Sequence, residues 1–242
     1  MLYLIGLGLW DEGDISLKAI GILKKCEEVF IETYTNKWLG NITSLGEIIG
    51  KEIKVLKRIQ VESDMLTDVA KETDVALLIP GDPLAATTHI QLMLDAKIKS
   101  VDVRVVHSSS IYTAVAETGL QLYKFGRATT LAFIEKSFKP SSPYEMIMEN
   151  RKAGLHTLVL LDVKEDNRYM TVADGIYVLN HFGLEDIKIV VCCQLGSESQ
   201  KIRYGNMKEL SEDASLAETP AAIIIPGRLH FKEEEALRMY EK

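Results

Sequence analysis

Short apolar runs that alternate with amphipathic segments restrict the fold of this 242-residue chain more than any other feature. Runs such as residues 75–79 (Val-Ala-Leu-Leu-Ile) are too short for helices and predict buried strands. Asp14 is the predicted N-cap of the first helix. In the first half, strands are predicted at residues 2–5, 28–32, 53–56, 75–79 and 101–106, and helices at 15–23, 44–49, 61–70, 87–96 and 111–120. This alternation predicts a mostly parallel sheet covered by helices on both faces.

The pattern changes near residues 123–127, where we predict a second α/β domain, although no Gly/Ser linker marks the boundary. Its strands are predicted at residues 129–134, 157–161, 187–193 and 222–225, and its helices after Pro143 and at 171–181. The expected fold class is therefore α/β, with an N-terminal α/β domain at residues 1–115 and a C-terminal α/β domain at 116–242. We expect a mostly parallel sheet in the first domain and a mixed sheet in the second.

Charge and cysteine content exclude several classes of protein. The formal net charge of −7 argues against nucleic acid as the main partner. The three cysteines, Cys26, Cys192 and Cys193, are too few and too irregular for a disulfide framework or a zinc site, so we expect buried thiols in a reducing cytoplasm. No signal peptide or membrane-spanning segment is apparent. The five histidines lack metal-ligand spacing, so no metal is expected.

Two glycine patterns call for comparison with nucleotide-binding motifs. Gly6-Leu7-Gly8 after the first strand permits close approach of a ligand, or it is a plain strand-to-helix turn. A dinucleotide fingerprint needs a third glycine where Asp11 stands, and an acidic side chain there would repel a pyrophosphate. Residues 46–52 faintly resemble a P-loop, but the spacing is one residue short, so a helix and its C-cap is the preferred interpretation.

Two polar segments follow predicted strands, where open α/β sheets bind ligands. Residues 80–83 (Pro-Gly-Asp-Pro) follow the most apolar strand and form either a turn or a binding loop. Within them, Asp82 is an acceptor suited to a ribose or an ammonium group. Residues 108–110 (Ser-Ser-Ser) occupy the equivalent place at the end of a neighbouring strand, where they either cap the next helix or line a ligand site.

In this order, these features resemble the tetrapyrrole methylase superfamily, the class III methyltransferases, and within it the diphthine synthase family. The segment from Gly81 to His89 is the most specific part of the resemblance. The other segments that carry it are residues 4–15, 32–35 (Glu-Thr-Tyr-Thr), 110–112 (Ser-Ile-Tyr), 123–126 (Tyr-Lys-Phe-Gly), 155–162 and 226–230. Together they span nearly the whole chain.

The resemblance implies an S-adenosylmethionine-dependent methyltransferase with its cofactor in a cleft between the two domains, and a homodimer. The implied reaction is methylation of the amino group of the 2-(3-carboxy-3-aminopropyl)histidine side chain of elongation factor 2, three times, in diphthamide biosynthesis. Elongation factor 2 is therefore the expected partner, with no role for nucleic acid or membrane. The length of the chain points to an archaeal member.

The family's cofactor contacts carry over, position by position, to eight residues. They are Leu9, Asp82, Ala85, Ser110, Ile111, Leu161, Leu195 and Ala221. Two positions depart from the family pattern, because Gln194-Leu195-Gly196 stands where Arg-x-Gly is common and Ala221 stands where a histidine is frequent. No catalytic residue is assigned. Lys124, Arg127, Lys136 and Lys139 would serve an acidic partner surface, or they are ordinary solvated charges.

Three alternatives remain open. The first is a superfamily member that acts on a corrin or porphyrin precursor, which residues 87–89 (Thr-Thr-His) argue against. The second is a binding module on the same fold that catalyses nothing. The third is a nicotinamide dehydrogenase, which Asp11 disfavours.

Overall fold

The computed structural model describes residues 1–135, 139–164 and 168–241. The chain divides into two compact units, Met1–Ile111 and Tyr112–Lys242, and each is described by itself. Each unit contains one five-stranded sheet with helices packed against it. The first sheet is entirely parallel and the second is mixed, so the expected α/β class is confirmed for both sheets.

The first sheet has the strand order β3-β2-β4-β1-β5. Its strands are β1 (Leu2–Gly6), β2 (Glu28–Glu32), β3 (Lys54–Leu56), β4 (Val75–Ile79) and β5 (Val103–Val106). Its helices are α1 (Leu17–Leu23), α2 (Ile42–Ile49), α3 (Arg58–Val61), α4 (Met65–Glu72) and α5 (Ile90–Ile98). Alternate side chains of β1 enter different cores, with Leu4 on one face and Ile5 on the other. Burial on both faces explains why the inner strands β1 and β4 are continuous apolar runs.

Local polar contacts move several helix boundaries from their predicted places. The prediction that Asp14 caps α1 is wrong, because Ser16 holds that place and accepts from the Ala19 N–H, while the Asp14 carboxylate accepts from the Trp10 N–H. The helix predicted over 61–70 is two helices. The one predicted over 87–96 begins only at Ile90. Gly50 is the left-handed C-cap of α2, with φ of 70°, which confirms the helix-and-cap interpretation of residues 46–52.

The second sheet has the strand order β6-β7-β10-β8-β9, and only β6 and β7 pair in parallel. Its strands are β6 (Thr129–Leu131), β7 (Thr157–Leu161), β8 (Lys188–Cys193), β9 (Lys201–Asn206) and β10 (Ala221–Ile225). The helices from the unit boundary onward are α6 (Ile111–Ala114), α7 (Ser142–Lys152), α8 (Val172–His181), α9 (Met207–Ser211) and α10 (Phe231–Leu237). The helix predicted over 111–120 is α6 followed by a 3₁₀ turn, and Gly119 with φ of 82° ends it.

Two further differences lie in this second unit. The strand predicted over 129–134 ends at Leu131, and the edge strand β9 was not predicted at all. The sequence of β9 (Lys-Ile-Arg-Tyr-Gly-Asn) is polar because β8 is its one neighbouring strand, and a single bridge from Tyr204 to Glu241 is the further pairing seen among the described residues. The cysteines are buried thiols, as expected. Burial raises the pKa of Cys26 and of Cys193 to about 11.

Candidate functional site

Three loops meet at the carboxyl edge of the first sheet. They follow β1, β4 and β5, and the β1 loop lies in the middle because β1 pairs with both of the other strands. Residues 108–110 therefore follow a strand that is adjacent to β1 and not to β4. The carboxyl edge of an open parallel sheet is the usual place for a ligand.

Glycines hold the β1 and β4 loops together. The Gly81 N–H donates to the Gly8 carbonyl at 2.8 Å, and the Gly8 N–H donates to the Gly81 carbonyl at 3.3 Å. Both residues have positive φ, 88° and 73°. A Cβ added at Gly6 would lie 2.5 Å from the Gly81 oxygen and 2.7 Å from the Ser108 Cβ. Because Gly6 has no side chain, the β1 loop can lie directly against the β4 and β5 loops.

Asp82 ties the β4 loop to the β5 loop. One carboxylate oxygen accepts from the Leu84 N–H at 3.0 Å. The other accepts from the Ser108 N–H at 3.2 Å and lies 2.8 Å from His107 Nδ1. The side chain of Asp82 is only 13% exposed, so these bonds are largely shielded from water. Asp82 thus shapes the loops, and about one of its four acceptor positions is left over.

The structure brings the other predicted residues of the first unit to the same edge. Leu9 follows Gly8, and Ala85 lies within the β4 loop, where its N–H donates to the Asp82 carbonyl. Ser110 ends the β5 loop and Ile111 begins α6. Ser110 is buried, whereas Leu9, Ala85 and Ile111 are half-buried and offer apolar surface.

The three predicted residues of the second unit also lie together, at one edge of its sheet. Leu161 ends β7, Ala221 begins β10, and Leu195 follows β8 by two residues. Ala221 pairs with Cys193 at the end of β8, and the next residue, Ala222, pairs with Leu160. Sequence resemblance had not indicated that these positions share an edge.

Sequence reasoning missed a cavity in the first unit. Its volume is about 370 Å³, and its lining includes Tyr34, Val61, Glu62, His89, Leu92 and Asp95. Behind it lies Glu32, a fully buried carboxylate that accepts from the N–H groups of Tyr34 and Thr35 and from the Thr35 hydroxyl. Burial raises the pKa of Glu32 and lowers that of His89. The adjacency of polar residues 32–35 was visible in the sequence, but their meeting with His89 was not.

A second polar cluster lies buried in the other unit. Glu233 is fully buried and accepts from Lys124 Nζ, from the N–H groups of Gln121 and His230, and from His156 Nε2 at 3.0 Å. Burial alone would raise the pKa of Glu233, but these four donors outweigh it and lower the pKa to about 2. His156 is satisfied at both nitrogens, because its Nδ1 accepts from the Gly227 N–H at 2.9 Å. This cluster is closed and structural.

The candidate basic residues differ in their surroundings. Lys124 belongs to the Glu233 cluster, so its interpretation as a solvated charge is wrong. Arg127 is 72% exposed and lies 3.7 Å from the equally exposed Glu149 carboxylate. Lys139 is exposed, and Lys136 lies outside the described residues.

The described residues contain neither a metal-binding cluster nor a membrane-spanning helix. Over residues 1–135, 139–164 and 168–241, no group of His, Cys, Asp and Glu side chains is arranged to hold a metal ion. Over the same ranges, no helix combines the length and apolar character needed to cross a membrane.

Comparison with known proteins gives a consistent result over the whole chain. Residues 1–211 match the family of tetrapyrrole (corrin/porphyrin) methylases. Diphthine synthase from Methanocaldococcus jannaschii is 44% identical over 98% of this chain and 98% of its own length. Diphthine synthase from Methanothermobacter thermautotrophicus is 42% identical over 98% of this chain and 94% of its own.

Solved structures agree with the sequence comparison. A crystal structure of diphthine synthase superimposes with a TM-score of 0.93 at 33% identity, covering 99% of this chain and 95% of that one. A putative diphthine synthase from Entamoeba histolytica gives 0.91 at 34% identity, with coverage of 100% and 98%. The similarity therefore extends through both units.

Proposed function

The chain belongs to the tetrapyrrole methylase family, and on this premise we propose that it is an S-adenosylmethionine-dependent N-methyltransferase of the diphthine synthase type. Its acceptor is the amino group of the 2-(3-carboxy-3-aminopropyl)histidine side chain of elongation factor 2, which receives three methyl groups. The observation that carries the proposal is that similarity to diphthine synthases runs through both units and not through one alone.

The eight residues of the two sheet edges are the proposed cofactor contacts. In the first unit they are Leu9, Asp82, Ala85, Ser110 and Ile111, and in the second they are Leu161, Leu195 and Ala221. The residues of the first unit fit an adenosyl group with an alkyl sulfonium, because the half-buried side chains of Leu9, Ala85 and Ile111 offer apolar contact beside the buried Ser110. Asp82 contributes mainly by fixing the loops, since three donors already occupy its carboxylate.

Methyl transfer from S-adenosylmethionine depends more on the relative position of the two reactants than on a reactive side chain of the protein. S-adenosylmethionine supplies a methyl group already activated on a sulfonium. The protein must hold the acceptor nitrogen in line with that group, and loops locked by Gly8, Gly81 and Asp82 are suited to this. The amine attacks only when it is unprotonated, and solvent can accept its proton at neutral pH. No general base is assigned.

The remaining parts of the proposal concern assembly and compartment. We expect a homodimer, which sedimentation velocity at micromolar protein would show directly. The three buried thiols support a reducing compartment, the cytoplasm.

The deciding experiment is methyl transfer to elongation factor 2. The purified chain is incubated with S-adenosylmethionine and elongation factor 2 that carries the precursor side chain, and the modified peptide is weighed by mass spectrometry. Successive methyl increments, up to three, are expected. Elongation factor 2 with an unmodified histidine is the matched control and should gain none.

Calorimetry separates this proposal from its rivals. The chain should bind S-adenosylmethionine and its demethylated product, whereas a binding module that catalyses nothing would bind neither. A tetrapyrrole methyltransferase would change the visible spectrum of an added corrin or porphyrin precursor. Methylation of such a precursor without methylation of elongation factor 2 would reassign the substrate.

A further inference from the structure

Two residues that line the cavity of the first unit each have a buried polar atom without a hydrogen-bond partner among the described residues. Tyr34 Oη and His89 Nε2 are shielded from water, and neither has a hydrogen-bond partner among the described residues. The side chain of His89 is 1% exposed. Buried polar groups of folded proteins are nearly always bonded, and both residues line one cavity, so a polar group that inserts into this cavity can supply the missing partner.

The orphan atom of His89 is an acceptor. Its Nδ1 lies 3.3 Å from the Pro83 carbonyl, which can only accept, so Nδ1 carries the proton and Nε2 presents a lone pair. Burial lowers the pKa of His89 and keeps the ring neutral. The nearest Glu32 oxygen is 3.9 Å from Nε2, too far for a hydrogen bond. The cavity therefore lacks a donor at this point.

The surrounding charges favour a cationic donor. The carboxylates of Glu62 and Asp95 line the cavity, and Glu32 lies behind His89. The nearby cation is Arg58, whose guanidinium lies 5.0 Å from the Tyr34 ring centroid and 4.0 Å from the Glu62 carboxylate. Val61 and Leu92 supply apolar wall. An aliphatic stem that ends in a positive charge matches this combination.

The surface beside the cavity suits a macromolecule. Asp95 lies on α5, and the adjoining stripe of that helix consists of Ile90, Leu94 and Ile98 at four-residue spacing. These three side chains are 52%, 50% and 82% exposed. An apolar stripe next to an acidic cavity is typical of a protein-docking surface.

We propose that this cavity receives a lysine or arginine side chain of the protein substrate, with its stem along Val61 and Leu92 and its cation at His89. This inference rests on the proposed function, because the side chain that enters the cavity would belong to the protein that is methylated. The site fixes which protein surface is presented and takes no part in the methyl transfer itself.

The first test replaces both lining carboxylates with amides. Glu62→Gln/Asp95→Asn should raise the KM for elongation factor 2 by about fivefold or more, with kcat and S-adenosylmethionine affinity unchanged. Glu47→Gln/Glu52→Gln removes the same charge from exposed positions at the end of α2 and should leave KM as in the wild type. An unchanged KM in the cavity variant, or an altered oligomeric state measured by light scattering, overturns the inference.

The second test does not depend on the enzymatic reaction. N-acetyl-arginine methylamide and N-acetyl-lysine methylamide are titrated while the ring nitrogens of His89 are followed by NMR, with the uncharged citrulline derivative as control. At least one cation should shift the Nε2 resonance saturably, and citrulline should not. No shift by either cation overturns the inference. If the wild-type protein methylates nothing, the proposed function is wrong. The titration would still decide whether the cavity binds a cation.

Discussion

Each unit of the molecule buries one glutamate beside one histidine, and the two pairs are built differently. In the second unit, His156 and Glu233 are 3.0 Å apart, and both histidine nitrogens are bonded. In the first unit, His89 and Glu32 are 3.9 Å apart, and His89 Nε2 has no hydrogen-bond partner among the described residues. Burial lowers the pKa of both histidines, so burial alone does not distinguish them.

The difference shows how structural and binding roles can be separated without a bound ligand. A closed network leaves no unpaired donor or acceptor for a ligand. Its role is to join distant segments, as Glu233 joins residues 121–124 to His156 and His230. An open pair beside a cavity leaves an acceptor for something else. We therefore expect changes in the closed pair to affect stability and changes in the open pair to affect binding.

Removing the closed pair's carboxylate should have the largest effect. Glu233→Ala leaves His156 buried without its acceptor and leaves the half-buried Lys124 with only the Arg228 carbonyl, so it should lower the free energy of unfolding by about 3–5 kcal/mol. Urea unfolding followed by circular dichroism measures this. Glu234→Ala, at the exposed neighbouring position, should change it by less than about 0.5 kcal/mol. A loss below about 1 kcal/mol for Glu233→Ala would mean that the network is not structural.

Acid should weaken the closed pair specifically. Because the pKa of Glu233 is lowered to about 2, its contribution to stability is complete above its unfolded pKa of 4.5 and is lost as the pH falls toward 2. The linked loss is about 3 kcal/mol. Unfolding free energies measured from pH 5 to pH 2 should fall less steeply for Glu233→Gln than for the wild type. Parallel curves would contradict the assignment.

Glycine contacts test whether the first unit's loop edge depends on close packing. Gly6→Ala places a methyl group 2.5 Å from the Gly81 oxygen and should cost about 1–3 kcal/mol, with weaker S-adenosylmethionine binding. Gly21→Ala is the matched control, because nothing lies within 4 Å of its Cβ and it is inside α1. That variant should gain up to about 1 kcal/mol. Equal effects of the two variants would show that the loops tolerate separation.

The two histidines give the most direct comparison of the pairs and the smallest expected effect. His156→Leu leaves the Gly227 N–H without a partner and removes one of the two donors to a Glu233 oxygen, so it should cost about 1–3 kcal/mol. His89→Leu removes one bond and an unpaired acceptor and should cost about 1 kcal/mol or less. Thermal unfolding of both variants at one pH measures the difference. A larger cost for His89→Leu would mean that the open pair is structural after all.

The sequence was sufficient to predict the alternating strands, because a strand buried on both faces must be a continuous apolar run. Residues 28–32, 75–79 and 157–161 were predicted with their observed bounds. The edge strand β9 was missed because a strand paired on one side can be polar. The cap of α1 was missed because Asp14 is used by the Trp10 N–H.

The candidate site was only partly predictable, for a related reason. Segment 80–83 could be placed at a sheet edge from its position after a strand. The contacts of Asp82 with His107 and Ser108, 25 and 26 residues away, depend on the strand order and could not be read from local pattern. The Glu233–His156 pair spans 77 residues. The resemblance had marked the segment of His156 without assigning that residue a role, and Glu233 lies outside every marked segment.

One pair of measurements tests directly whether the first sheet's carboxyl edge binds the methyl donor while the Glu233 network only stabilises the second unit. S-adenosylmethionine affinity, measured by calorimetry per folded molecule, is compared for Asp82→Ala and Glu233→Ala. Asp82→Ala should weaken binding by about tenfold or more, because the loops lose the carboxylate that holds them together, whereas Glu233→Ala should leave affinity unchanged despite its lower stability. Unchanged affinity for Asp82→Ala, or a comparable loss for Glu233→Ala, would contradict this division of roles.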